Sequence, residues 1–280
     1  MPKKSSILLF ASSLMLGCVG PVTTLEPPRT VEPWHVELVA GASVPVHGVF
    51  ISSMAKAIDR GADRLRQANT APLSEQERAD LDQAALAAVL FQPTVVPELK
   101  ARLGIIDRVD VGFRYAGPAL KFDAKVNFWR SESVDIAASA GYVYHTGIGA
   151  SIAQGIYGLF DDLKLVEYRR SDVDLAVLVS GSAEKNVFPY GAVRYIIGMP
   201  EFETKLPPEL VAATGIENSR VESLMHYIGA TGGIRAGGKK VAFLGELTLM
   251  YLVFSPKVLG ERRNLGGIVV SPAVALDVRF

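Results

Sequence analysis

The stretch LGGIVVSPAVALDVRF, Leu265 to Phe280, alternates in character from Ile268 onward. Ile268, Val270, Val274, Leu276, Val278 and Phe280 fall on one side, interrupted by Pro272. Ser271, Ala273, Ala275, Asp277 and Arg279 fall on the other. A β-strand returns its side chains to the same face every second residue, so this stretch reads as a strand with one apolar face and one small or polar face.

The same period runs through most of the chain. Val36, Leu38, Ala40, Ala42 and Val44 oppose Glu37, Gly41 and Ser43 in a first strand. After Pro93 and Pro97 the pattern resumes around 99–103, 109–115, 120–128, 134–144, 173–180, 187–197, 224–235 and 241–253. With the closing strand this makes ten. Between the first strand and the second the period changes to that of a helix. Phe50, Ile51, Met54, Ile58, Ala62 and Leu65 recur at helical spacing opposite Lys56, Asp59, Arg60, Asp63 and Arg64. A second helix starts at Ser74, where Ser74-Glu75-Gln76-Glu77 is a capping-box pattern, and carries a weaker stripe of Leu81, Ala85, Ala88 and Val89. The sequence thus predicts a helical hairpin over residues 50–92, inserted between strands 1 and 2.

Composition narrows the class. The formal net charge is zero and 49% of the residues are hydrophobic, so no basic surplus points to nucleic acid. No apolar run reaches the ~20 residues of a spanning helix. High apolarity without such a run fits spanning strands, in which alternation dilutes the signal. Tight, polar turns near 104–107, 130–133, 183–186 and 237–239 alternate with long connections at 45–97, 146–171, 199–221 and 255–264, and only Gly117-Pro118 is short on that second side. Short periplasmic turns, long outer loops and an even strand count are the pattern of outer-membrane barrels. The expected fold is all-β: an antiparallel transmembrane β-barrel of about ten strands. Tyr142, Tyr144, Trp129, Phe128, Tyr251 and Phe280 near strand ends suit interface girdles. Pro189 and Pro272 count against spanning strands, because proline removes a ladder donor. A soluble lipid-binding barrel facing the periplasm would show the same period with its faces exchanged.

If the apolar face meets lipid, the inward charges are Arg102, Arg114, Lys121, Lys125, Arg235 and Arg279 against Glu37, Asp110, Asp123, Asp135, Asp174, Glu246 and Asp277. Mixed signs on neighbouring strands predict cross-strand ion pairs filling a closed or narrow lumen, not a one-signed selectivity ring.

The ending, with Val274, Leu276, Val278 and Phe280 at alternate positions, resembles the C-terminal strand of bacterial outer-membrane β-barrels. That resemblance implies recognition by the barrel assembly machinery. The start, Met1-Pro-Lys-Lys followed by the apolar run Ile7–Leu16, reads as a secretory signal. Leu14-Met15-Leu16-Gly17-Cys18 resembles the lipobox of bacterial lipoproteins, with Met15 an imperfect fit. The likeness implies a signal peptide over 1–17, acylation (palmitate among the chains) of Cys18, the only cysteine, and a location in the outer membrane of a Gram-negative bacterium. Residues 18–33, rich in Pro and Thr, then form an extended tether, and 34–280 form the barrel. Taken whole, the chain resembles myxobacterial-type outer-membrane barrel lipoproteins. Expected partners are outer-membrane lipids, the assembly machinery and other envelope proteins.

No catalytic, metal or cofactor motif stands out. His35, His47, His145 and His226 show no metal-ligand spacing. His145 and His226 fall near outer strand ends, where barrel hydrolases hold such residues. Gly147-Ile-Gly149-Ala-Ser151 completes no nucleophile elbow. The function classes left are a structural or accessory component of an envelope assembly, a narrow transporter or channel for a small or lipidic solute, a rim-site hydrolase, and the soluble lipid-binding barrel.

Overall fold

A computed structural model describes residues 22–66, 93–145, 164–183, 185–205, 219–258 and 261–280, with residues 74, 76, 77, 80, 83, 84, 87, 90 and 91 between the first two ranges. In chain order the elements are β1 (Val36–Ser43), β2 (Val46–His47), α1 (Gly48–Arg66), β3 (Val96–Ile106), β4 (Val109–Ala116), β5 (Ala119–Arg130), β6 (Val134–His145), β7 (Lys164–Gly181), β8 (Val187–Lys205), β9 (Ser219–Glu222), β10 (Met225–Gly237), β11 (Val241–Val253), β12 (Lys257–Val258), β13 (Glu261–Arg262) and β14 (Gly267–Arg279).

Ten of these strands pair antiparallel in the order β1-β3-β4-β5-β6-β7-β8-β10-β11-β14, and β14 pairs back onto β1 from Glu37↔Arg279 to Ser43↔Ala273. The sheet therefore closes on itself and has no free edge along the barrel. The short β2 and β9 add to β14 and β8, and β12 with β13 forms a separate small hairpin.

The tight turns between β3 and β4, β5 and β6, β7 and β8, and β10 and β11 lie at the end where β1 begins and β14 finishes, and the two-residue turn Gly117-Pro118 between β4 and β5 lies at the other end. The first of these ends is the turn mouth. The connections carrying α1, β9 and the β12–β13 hairpin lie at the opposite end, the loop mouth.

Burial follows the two-residue period and is inverted relative to a soluble barrel. Leu99, Phe122, Val177, Val193, Leu247, Leu249, Val274 and Leu276 are exposed on the outside, whereas Lys125, Arg102, Asp110, Asp135 and Asp277 are buried inside. A soluble lipid-binding barrel would show the reverse, so that reading is set aside. Trp34, Phe128, Trp129 and Phe280 ring the exterior near the turn mouth, and Tyr142, Tyr144 and Tyr251 ring it near the loop mouth. These are the two aromatic girdles of a spanning barrel.

The prolines fit without breaking the wall. Pro272 points its carbonyl at β1, accepting from Val44 N at 3.0 Å. A strand residue directs its N–H and C=O to the same neighbour, so the missing donor also faces that side. There β1 has ended at Ser43 and β2 has yet to start at Val46. Pro189 lies one residue beyond the last β7–β8 pair, Ser180↔Tyr190.

Two stretches read as loops are strand. Residues 164–171 and 199–205 extend the β7–β8 hairpin past the wall, to Lys164↔Lys205. Glu167-Tyr-Arg-Arg and Glu201-Phe-Glu carry no apolar alternation to announce these strands, although Arg170 and Pro200 within them are buried.

Between β2 and β3, α1 starts near its expected position. Its first turn packs inward through Val49 and Ser53 with Phe50 half-buried, while Ile51 and Ile58 of the expected apolar stripe are exposed. Every described residue from Gln76 to Phe91 is helical. At its start Glu77 N donates to Ser74 Oγ (3.3 Å), and Ser74 N donates back to Glu77 Oε2 (2.7 Å), the reciprocal capping box. Its buried face carries Ala84, Ala87, Leu90 and Phe91, whereas the expected stripe of Leu81, Ala85, Ala88 and Val89 lies outside the described residues.

Arg64 of α1 donates to Glu77 at 2.8 Å, and Arg60 pairs with Asp80, so two ion pairs tie the helical segments together. The Arg64 hydrogen bond, then those from Ser74, hold the Glu77 carboxyl down at about 2 from its usual 4.5. A depressed carboxyl pKa contributes stability above the unfolded value and loses it as pH falls through the folded one. In an NMR titration Glu77 is expected to protonate near pH 2, and in the Arg64→Gln variant its midpoint moves up toward 4.5.

Candidate functional site: a lumen threaded by the chain

The alternation that turns aliphatic side chains to the outside turns charge to the inside. Nine buried acids line the wall: Glu37, Glu98, Asp110, Asp123, Asp135, Asp172, Asp174, Glu246 and Asp277. Eight buried bases face them, namely Lys100, Arg102, Arg114, Lys121, Lys125, Arg170, Arg194 and Arg235, and the half-buried Arg279 evens the balance. A buried ion is tolerated only when paired and hydrogen-bonded, and most of the pairs run across strands, with Arg170 and Asp172 paired along β7. Arg102 on β3 bonds Asp110 on β4 and reaches Asp123 on β5 at 2.6 Å. Lys121 (2.6 Å) and Arg194 (2.5 Å) share Asp174, and Arg235 spans β11 to reach Asp277 at 2.9 Å. Arg279 and Glu37, at 3.3 Å, join the closing strand to the first.

Wall side chains alone do not fill this lumen. Residues 22–31, expected to be a tether outside the fold, run extended through the barrel and are nearly all buried. We call them the strap. An extended chain satisfies no backbone groups of its own, so each must find a partner in the wall. Arg194 donates to the Val22 carbonyl, and Arg114 donates to the Thr23 carbonyl at 2.6 Å. Lys125 donates to the carbonyl of Pro27 at 3.1 Å, and Asp110 accepts from Val31 N at 2.9 Å.

Glu246, midway along β11, is the densest of these partners. Its carboxylate accepts from Thr24 N, Thr24 Oγ1 and Leu25 N, each at 2.6 Å, and from Tyr190 Oη at 3.2 Å. Leu25 holds a left-handed backbone, φ 45°, which redirects the strap immediately after the two N–H groups bound to Glu246. Such a conformation costs a non-glycine residue about 1–3 kcal/mol, a cost offset by these charge-assisted bonds. Glu26 of the strap meets Lys100, Arg102 (3.0 Å) and Lys125 (2.8 Å), and Arg29 meets Asp135 at 3.0 Å. The strap thus adds one charge of each sign, and the lumen stays balanced.

At the turn mouth the strap leaves the lumen and doubles back into β1. Pro33 bridges Gly104, and Trp34 N donates to the Gly104 carbonyl at 2.8 Å. A Cβ on Gly104 would lie 2.0 Å from the Glu32 carbonyl oxygen, so only glycine permits this crossing.

The loop mouth is closed by apolar packing. Val22, Val49, Leu90, Phe91, Met225, Leu252, Phe254 and Leu265 form one buried cluster. The helical insertion caps the barrel through its two ends, and the side chain of Gln83 donates to the Asn264 carbonyl at 2.9 Å. Beneath Phe91 lies His47, stacked on it at 4.5 Å between ring centroids.

The histidines singled out for chemistry are not brought together. His145 points inward, with Nε2 3.1 Å from Asp172, and its Nδ1 has no hydrogen-bond partner among the described residues. His226 is on the outer face, its Nδ1 2.9 Å from Tyr195 Oη. His35 is exposed, with its Nδ1 3.1 Å from the Pro33 carbonyl oxygen. Cys18, Gly147-Ile-Gly149-Ala-Ser151 and Phe160-Asp161-Asp162 lie outside the described residues. Val274, Leu276 and Phe280 are exposed on the outer wall and Val278 is half-buried. No group of three or more metal-ligating side chains occurs among the described residues.

Every inward charge expected from the alternation is found inside. Those missed are Glu98, Lys100, Arg170, Asp172 and Arg194 on the wall, and Glu26 and Arg29 on the strap. Lys100 shares a face with Arg102 by simple parity, and Asp172 with Asp174, so the signal for the wall residues was present. For the strap residues no period exists to read.

A closed antiparallel wall, apolar outside and charge-paired inside, defines a transmembrane β-barrel whose lumen is occupied by its own chain. No family model matches the sequence, and no curated protein matches it significantly. Among solved structures it is similar to OprG from Pseudomonas aeruginosa, at 10% identity over 91% of this chain and 99% of that one, with a TM-score of 0.34. It is also similar to Neisserial surface protein A, at 9% identity over 88% and 94% (TM-score 0.33), and to the CymD monoaromatic hydrocarbon channel, at 8% over 89% of each (TM-score 0.30).

Removing the charge of Glu246 leaves Thr24 N and Leu25 N underpaired in a buried site. Glu246→Gln is expected to cost about 2–4 kcal/mol, read as a lower urea midpoint in lipid vesicles, with Lys239→Gln in an exposed turn as the unchanged reference. Gly104→Ala, by forcing β3 from the strap, is expected to cost about 1–3 kcal/mol in the same assay.

Proposed function

We propose that this protein is a lipid-anchored outer-membrane β-barrel, acylated at Cys18 after removal of residues 1–17, that serves as a closed structural or accessory component of the envelope. The observation carrying this reading is the strap. A barrel that spends ten of its own residues, 22–31, on filling its lumen leaves no aqueous path of the kind a general porin keeps open. The apolar cluster beneath the helical insertion adds a second seal at the loop mouth. Cancelled lumenal charge supports the same reading, because an ion pathway presents charge of one sign. Val274, Leu276, Val278 and Phe280 form the segment offered to the assembly machinery during biogenesis. Other envelope proteins are the expected partners, and the exposed Ile51 and Ile58 of α1 are apolar positions available to them.

The second reading, a gated transporter for a small or lipidic solute, rests on residues 22–31 being held in the lumen by noncovalent contacts, which a solute able to replace them would loosen. Planar bilayer recording on the purified full-length protein separates the two. The structural reading expects no steady conductance from the wild type, and openings only when the strap is loosened by Glu26→Gln with Glu246→Gln. A large, steady conductance from the wild type would rule it out. For biogenesis, Phe280→Ala is expected to reduce severalfold the heat-modifiable, folded protein recovered in the outer membrane, with total synthesis unchanged.

A further inference from the structure

The direction of the strap fixes where the N-terminal end comes out. Its partners descend in order along the barrel. Val22 packs in the apolar cluster at the loop mouth with Leu252 and Phe254. Thr23 then meets Glu98, near the loop end of β3. Glu26 lies beside Lys100 and Lys125 lower in the wall, and Arg29 reaches Asp135, beside the β5–β6 turn. The chain therefore runs from loop mouth to turn mouth, and only then turns back into β1. Val22, the first described residue, sits at the loop mouth of a wall that paired strands close completely.

We infer that the mature N-terminus emerges at the loop mouth, on the cell surface, so that an acyl group on Cys18 enters the outer leaflet of the membrane, not the periplasmic one. The leaflet assignment rests on the acylation proposed above; the direction of threading does not. Chain reach decides between the leaflets. Four residue steps separate Cys18 from Val22, and a fully extended chain covers at most about 3.6 Å per residue, roughly 14 Å in all. The apolar band of such a barrel is about 25 Å tall, and the strap itself needs residues 22–31 to cross the lumen. Four residues cannot make the return journey, and the lumen they would need is already full. Short turns face the periplasm in barrels of this kind, which puts the loop mouth outside. The partner for the anchor is thus the lipid of the outer leaflet, met beside the aromatic girdle of Tyr142, Tyr144 and Tyr251.

The test uses the full-length protein in intact cells with a membrane-impermeant maleimide, carrying Gly20→Cys, Asp59→Cys on exposed α1, or Lys239→Cys in a β10–β11 turn. The mature mass of each variant is measured in parallel. The expected result is labelling of Gly20→Cys and Asp59→Cys in intact cells, labelling of Lys239→Cys only after the outer membrane is permeabilised, and a mature mass that begins at acylated Cys18. Shielding of Gly20→Cys until permeabilisation, alongside labelled Asp59→Cys, would overturn the threading. Labelled Lys239→Cys with shielded Asp59→Cys would overturn the orientation. Surface labelling of Gly20→Cys with an unacylated mass would overturn the outer-leaflet anchor through failure of the acylation reading, with the threading intact.

Discussion

Charge inside a closed wall has to be neutralised where it stands. Paired strands on all sides leave the inward Arg, Lys, Asp and Glu residues of this barrel little bulk water, and an unpaired ion there would cost several kcal/mol. The cross-strand network around Arg102, Asp110 and Asp123, and the one around Asp174, meet that requirement within the wall. Lys100 and Glu246 take their close partners largely from the strap, through Glu26, Thr24 and Leu25, and Lys125 divides its contacts between Glu26 and the wall residue Asp110 at 3.5 Å. Wall and strap are therefore not independent parts, since each supplies the counter-charges and hydrogen-bond partners that the other lacks.

The same dependence shapes assembly and closure. β1 follows directly from the strap, and β1 and β14 close the barrel between them. The strap consequently has to be inside when the last pair forms, because threading it afterwards would mean drawing the N-terminal end through a filled, sealed cylinder. At the turn mouth the close crossing of Gly104 by Glu32 fixes the point of entry into β1. At the loop mouth the helical insertion covers the other end, with Phe91 packed over His47.

Much of the barrel was legible because the bilayer enforces a local code. Lipid outside and charge inside reverse every residue, so parity assigns Leu247 and Leu249 outward and Glu246 inward without any tertiary information. Strand number, closing strand, turn positions and the capping box at Ser74–Glu77 were all readable in this way. Parity fails where its cause disappears. Past the end of β6 the β7–β8 hairpin has no hydrocarbon to enforce alternation, and its upper residues resembled loop. In α1 the barrel grips only the side carrying Val49 and Ser53, so Ile51 and Ile58 of the expected apolar stripe are exposed.

By itself the sequence determined the membrane-facing surface, the strand count and the identity of most lumenal charges, since each depends on side-chain direction along one strand. Only the tertiary structure decided the place of residues 22–31. Their proline- and threonine-rich composition suits an extended chain in solvent as well as an extended chain in a polar tube. What settles the choice is contact with residues as far off as Glu246, 222 positions from Thr24. Such partners are brought within reach by closure of the wall, and closure is a property of all ten strands together.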